Sequence, residues 1–277
     1  MLKFLEHLFR KKKSMPQLKD MKLGKRPPVI DPRTLKLARY LDHSKLPPLV
    51  PEVSWVTKVP IWPMMLNDQL GDCVAAAAGH AVEQWTTYAD SKAIVPTDQQ
   101  ILKTYEDVGG YVPGNPATDN GMDMLTYLKY WRGTGVGGHK IGAFVGVNPQ
   151  SMAEVMQAIR LFGNCYIGLA LPLTAQSQNG YWAMASNWTQ DPNAAPGSWG
   201  GHCVLVAAAS QTGGSTVITW GQRWKMSWNF MHNYCDEAYA MLSPDWLTSR
   251  GMSPVGDGLP GFNAAQLQAD LAAVASA

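Results

Sequence analysis

With 277 residues, 46% of them hydrophobic and 16% charged, the chain has the composition of a folded protein with a sizeable core, and 26 glycines and 19 prolines make it rich in loops. Disordered, collagenous and coiled-coil chains are excluded, and the apolar stretches all break short of the ~18 residues a membrane-spanning helix needs. The formal charge of +2 conceals a division: residues 1–50 carry 13 Lys/Arg against 4 Asp/Glu, a net +9, whereas the remainder carries 10 against 17, a net −7.

The first nine residues place Leu2, Leu5, Leu8 and Phe9 on one side of a short helix, ahead of the basic run 10–13. A secretory leader carries its positive charge first and an unbroken apolar segment afterwards. Here that order is reversed, and Lys3 and Glu6 interrupt the segment, which predicts cytoplasmic synthesis. An apolar face joined to a basic run suits an anionic membrane surface or a partner protein; a frayed terminus is the plainer alternative. Residues 14–63 hold prolines at 16, 27, 28, 32, 47, 48, 51, 60 and 63, so they predict an extended strap crossing a surface, briefly helical only from Thr34 to Leu41.

From Cys73 to Tyr88 the chain is alanine-rich and free of proline, the pattern of a buried helix. Thr97 with Gln100 forms a capping box opening a second helix that runs through Asp107. Gly121–Trp131 and Ser151–Phe162 give a third and a fourth. Strand signals follow at Cys165–Leu171, His202–Ala207, Thr216–Trp220 and Glu237–Leu242, and a peripheral helix spans Ala264–Ala275. Helices first and strands second predict an α+β protein with a helical lobe and an antiparallel β-rich lobe. The expected divisions are a basic, proline-rich arm over 1–50, a body over 51–250 and a tail over 251–277.

Four cysteines without a CxxC pair offer neither a zinc ribbon nor a dense disulfide framework, and no metal or cofactor is expected. Gly133–Gly138 matches GxGxxG, but it follows a helix where a dinucleotide site requires a strand, so it reads as a loop. Cys165, Cys203 and Cys235 read as core. His80 reads as a packing residue, and His7, His43, His139 and His232 as structural. Trp182, Trp188 and Trp199, in the polar stretch 174–201, are candidates for a binding surface.

The chemistry concentrates in two places. In Gln69-Leu-Gly-Asp-Cys73 the cysteine stands where loop becomes helix, and the positive end of the helix dipole favours its thiolate. In Ser198-Trp-Gly-Gly-His202 the histidine opens a strand beside small residues that permit close approach. A thiol on a helix N-terminus and a distant histidine on a strand have the layout of a nucleophilic Cys/His pair. A buried, inert thiol and a satisfied histidine are the alternatives.

These segments, in order, resemble the papain-like cysteine peptidase family over roughly Trp55 to Leu242. Gln69 and Cys73 resemble the family's Gln…Cys segment, and Asp119-Asn-Gly-Met-Asp123 the stretch after its second helix. Met152–Gly168 resembles its helix and following strand, Gly201-His202-Cys-Val-Leu-Val its histidine strand, and Trp220-Gly221-Gln-Arg-Trp224 its tryptophan motif. The resemblance implies Cys73 as nucleophile, His202 as general base, Gln69 as oxyanion donor beside the backbone N–H of Cys73, and Trp220 as a shield over the imidazole.

The departures are specific. Ile218 occupies the place of the orienting Asn, and Thr219 is expected on the opposite face of its strand. Gln69 precedes Cys73 by four residues where the family has six. Val74 replaces an aromatic residue, and Leu70 a half-cystine. Asp72 should cap the helix while raising the thiol's pKa. Two functions are therefore expected: a peptidase or amidase acting on peptide bonds through Cys73 and His202, or a catalytically silent docking protein, such as a phage virion component, attached through residues 1–50. Nucleic-acid binding by the arm is disfavoured, because it lacks interleaved aromatic residues for stacking.

Overall fold

The computed structural model describes residues 18–90, 92–246, 253–254 and 259–276; the helix expected at the extreme N-terminus and His7 lie outside them. In chain order the elements are β1 (Glu52–Ser54), α1 (Cys73–Asp90), α2 (Asp98–Gly109), α3 (Met124–Gly133), β2 (Ala143–Gly146), α4 (Met152–Phe162), β3 (Cys165–Leu171), β4 (Tyr181–Trp182), β5 (Gly200–Ser210), β6 (Gly214–Thr219), β7 (Gln222–Met226), α5 (Trp228–Tyr234), β8 (Cys235–Leu242) and α6 (Ala264–Ser276). The expected helices and strands are present. Three short strands (β1, β2, β4), β7 and α5 are additional; they are too brief or too mixed to show a period in sequence.

Helices α2, α3 and α4 each start at a local cap. Thr97 and Gln100 form the reciprocal capping box, and Asp123 and Ser151 cap α3 and α4 through their side chains. Gly110 and Gly163 end α2 and α4 in the left-handed conformation. Strands β2-β8-β3-β5-β6-β7-β4 form one sheet, with β1 also pairing β5, and all of its pairs are antiparallel except β4 with β7.

Alternation along β5 divides the interior in two. Cys203, Leu205 and Ala207 face a core built by α1, α2 and α3, whereas Val204 and Val206 face a second core with α4 and α5. Helix α1 is buried all round from Cys73 to Tyr88, which is why small residues fill it: Ala75 to Ala78 let it lie against β5. Among the described residues no helix is long and apolar enough to cross a membrane.

The end of α4 lies inside the molecule, so its last carbonyls need donors. Trp55 donates to Ile159 O at 2.9 Å, Trp246 to Leu161 O at 2.7 Å and Trp85 to Phe162 O at 2.8 Å. Gln84 adds a bond to Gly163 O at 2.9 Å. Three indoles and an amide thus stitch α4 to α1 and its surroundings.

Glu83 on α1 has no such partner. It is 3% exposed, its Oε2 bonds nothing among the described residues, and burial pushes its carboxyl up to about 7. A carboxyl raised above its unfolded value of 4.5 binds more protons folded than unfolded, so its cost grows as pH rises from there through about 7. Glu83→Gln is therefore expected to stabilise the chain by on the order of 1–2 kcal/mol at pH 8 and by little at pH 4.5. Thermal melts of both proteins at the two pH values check this; equal shifts at both would refute it.

The arm is part of the body over residues 18–50. Leu37 and Tyr40 are buried in the second core, Gly146 donates to Leu35 O at 2.7 Å, and Tyr40 Oη donates to Asp270 of α6 at 2.7 Å. The expected helical turn is a 3-10 segment, Leu37–Tyr40. A charged, proline-rich sequence concealed these contacts because its apolar residues follow no regular period.

Candidate active site

Helix α1 begins at Cys73, where Ala76 N donates to Asp72 O at 3.0 Å. The Asp72 side chain does not cap it: both carboxylate oxygens are buried without a hydrogen-bond partner among the described residues, and burial pushes the group well above the ordinary carboxylate range. Cys73 is 1% exposed, and its Sγ accepts from the backbone N–H of Cys203 at 3.3 Å. The thiol of one lobe therefore meets the peptide N–H that joins His202 to Cys203 on the other.

His202 is wholly buried. Its Nε2 pairs with Thr219 Oγ1 at 2.7 Å, and its ring stacks on Trp220 with centroids 4.4 Å apart and planes at 19°. The expectation that Thr219 points away from the histidine is overturned. Leu205 pairs with Ile218, and both face the helical core, so Thr219 falls on the other face, with Val204 and His202. Ile218 is core. The imidazole Nδ1 has no hydrogen-bond partner among the described residues. Trp220 sits at φ 45°, a conformation few non-glycine residues adopt, directly before the turn into β7.

Residues 22–26 fill the space between the lobes. Trp220 Nε1 donates to Lys22 O at 3.2 Å, and Gly24 N and Lys25 N both donate to Gly201 O, at 3.2 and 3.0 Å. On the helical side Met122 N donates to Gly24 O at 2.8 Å and Arg26 N to Met122 O at 3.0 Å. The approach is close enough to require glycine: a Cβ on Gly24 would stand 1.8 Å from Gly71 O. The N–H of Gly24 also faces the Cys73 sulfur.

The electrostatics follow from that burial. Desolvation pushes the Cys73 thiol up to about 12, outweighing the N–H groups of Cys203 and Gly24, and it pulls His202 down to about 3. Both groups are neutral at pH 7. The helix dipole's preference for thiolate is overridden here.

Gln69, expected as the oxyanion donor, is exposed, with its amide on Asp68 at 3.4 Å. The residue six before Cys73 is Asn67, which is 2% exposed and donates to Leu70 O at 3.2 Å, after two left-handed residues, Met65 and Leu66. Spacing was the signal for it. Trp182 is core, packed on Trp220, Trp224 and Phe230, and not a surface residue; Trp188 is exposed. The four cysteines are free and buried, His80 bonds Pro63 O at 2.8 Å, and His139, read from sequence as structural, meets Asp245 at 3.0 Å. No group of His, Cys, Asp and Glu suited to a metal ion occurs among the described residues. The segment 133–138 ends α3 and turns, with no strand before it.

No protein-family model matches the sequence, and no curated protein sequence matches it. Solved structures do match. Xylellain, a cysteine protease from Xylella fastidiosa, superposes with a TM-score of 0.64 at 13% identity, covering 82% of this chain and 98% of its own. Digestive procathepsin L 3 of Tenebrio molitor larval midgut gives a TM-score of 0.50 at 15% identity over 82% of this chain and 77% of its own. The Carica candamarcensis cysteine protease CMS1MS2, in complex with E-64, gives 0.50 at 12% over 70% and 98%. The chain has the papain-like two-lobed fold, in a form divergent in sequence.

Proposed function

We propose that the chain is a cysteine peptidase held silent by its own residues 22–26. One observation carries this reading: the Cys73 thiol at the start of α1 accepts from the N–H next to His202, whose ring is held by Thr219 and covered by Trp220. A thiol on a helix terminus and an imidazole fixed through one nitrogen with the other left free are what nucleophilic attack on a carbonyl requires. Thr219 does with a hydroxyl what the absent Asn would do with an amide.

With the cleft vacated, Cys73 would pass its proton to His202 and attack the peptide carbonyl carbon. The backbone N–H of Cys73 and the amide of Asn67, released from Leu70 O, would then donate to the resulting oxyanion. His202 would then protonate the leaving amine, and water would cleave the thioester. The docking alternative is weakened by the part of residues 18–50 that serves the chain's own body, Leu37 and Tyr40 in the core and backbone bonds to Gly201, Met122 and Gly146, although Val29 and Ile30 stay exposed.

The test uses the full chain carrying Gly24→Ala, which forces the strap off Gly71. Hydrolysis of fluorogenic peptides is expected, and none when Cys73→Ala is added. Thr219→Val in the same background should lower kcat roughly tenfold, with KM little changed, because it frees the imidazole without touching substrate. If Cys73 becomes accessible in the Gly24→Ala protein and no peptide is cut, the proposal fails.

A further inference from the structure

The occupant of the cleft carries more than a block. Lys25 places its side chain, 1% exposed, in a recess of the sheet lobe, where its ammonium lies 2.9 Å from Asp236 Oδ2 and 3.3 Å from Glu237 Oε1. It also donates to Arg26 O at 3.1 Å. The recess crosses three neighbouring strands: Gly168 of β3 pairs with Cys203 of β5 on one side and with Glu237 of β8 on the other. Cys203 is the residue whose N–H meets the Cys73 sulfur, so the recess adjoins the thiol.

Its floor is shaped for a long chain. A Cβ on Gly168 would stand 2.1 Å from Lys25 Cε, so any other residue there would expel the lysine stem. Its end is shaped for a cation. Glu237 is buried with a side-chain exposure of 6%, and its Oε1 makes no hydrogen bond among the described residues although it faces the ammonium. Burial is the largest single influence on Lys25 and works against its charge, yet Asp236 and Glu237 together hold its pKa above the ordinary value. Asp236 stands at the open rim, its side chain 29% exposed, whereas the buried Glu237 carboxylate is costly unless a positive group neutralises it.

We infer that the recess between Gly168, Asp236 and Glu237 is a recognition pocket for the cationic side chain of an extended peptide, lysine or arginine, with Lys25 its internal occupant in the resting chain. This deepens the peptidase reading and rests on it for the substrate class. The pocket selects because an apolar side chain would leave Glu237 buried and unneutralised, and an acidic one would add a third negative charge. Arginine is expected to be accepted at least as well as lysine, since its fork has donors to spare for the Glu237 oxygen that Lys25 leaves without a hydrogen bond.

Two measurements on the full chain test it. The first is thermal melting of Lys25→Ala with 50 mM n-butylammonium or n-butanol. The cation should raise the melting temperature by at least 2 °C, the alcohol should not, and wild type and Lys25→Ala/Glu237→Gln should respond to neither. The second, which does not depend on Lys25→Ala folding, compares kcat/KM in the Gly24→Ala protein for peptides differing only by Lys, Arg, Leu or Glu at each position before the scissile bond. At one position the basic residues should be favoured at least tenfold over Leu, and Glu237→Gln should reduce that preference below threefold. Butylammonium rescue without cleavage of any peptide would sink the peptidase reading and leave the pocket standing. Cleavage without basic preference, or no rescue of a folded Lys25→Ala, would overturn the pocket alone.

Discussion

Alkylation of Cys73 at pH 8 is expected to run roughly a hundredfold faster in Gly24→Ala than in wild type. The wild-type thiol is 1% exposed and pushed up to about 12 by burial, so it is neither reachable nor ionised. A methyl at position 24 meets the Gly71 carbonyl at 1.8 Å, and a backbone atom cannot rotate away as a side-chain end would. The strap must therefore lift, breaking its bonds to Gly201, Met122 and Trp220. Return of the thiol towards an ordinary ~8.5 multiplies the thiolate by about three orders of magnitude, and the lower intrinsic nucleophilicity of a more acidic thiol gives back about half of that on a logarithmic scale. Peptide mapping by mass spectrometry reads the rate at each cysteine. Cys165 and Cys235 are buried in the second core, away from Cys73, and should stay unlabelled, which separates local release of the strap from global loosening. Equal rates at Cys73 in the two proteins would show that residues 22–26 are not what shields it.

Trp85→Ala is expected to lower the unfolding free energy by ~3–5 kcal/mol, a large part of the ~5–15 kcal/mol that holds a typical folded protein. The ring is fully buried on α1, 5.7 Å from that of Trp131 on α3, and its Nε1 donates to Phe162 O at the end of α4. Removing it opens a cavity in the helical core and orphans a carbonyl that no water replaces without rearrangement. Trp85→Phe keeps most of the apolar volume but loses the bond, so about 1–2 kcal/mol is expected for it. Guanidinium unfolding of the three proteins checks both values. A cost under 1 kcal/mol for the alanine variant would mean that α4 does not depend on α1 for its buried end. The neighbouring donors Trp55, Trp246 and Gln84 would then hold it without help.

The strap alters how the basic N-terminal segment is understood. Its charge excess suggested an arm reaching for a partner, yet the described part reaches back into the protein, placing Lys25 against Asp236 and Glu237 and Arg39 against Asp270. Removing residues 1–50 would therefore strip Leu37 and Tyr40 from the core as well as open the cleft.

What could be read from sequence is what local physics sets. Alanine-rich spacing, the Thr97–Gln100 capping box and runs of β-branched residues depend on neighbours within a few positions, and the corresponding elements stand where they were expected. The positions of Cys73 at a helix start and His202 near a strand start are of the same kind. The side of β6 on which Thr219 emerges was decided by the pairing of Leu205 with Ile218, a register between two strands that neither strand encodes alone. The burial of Asn67 and exposure of Gln69, and the neutral state of the thiol, followed from which groups the fold buries. The course of residues 22–26 had no local signal, because an extended segment is stabilised by the groove it enters: its hydrogen bonds go to Gly201 and Met122, about a hundred residues and more away along the chain.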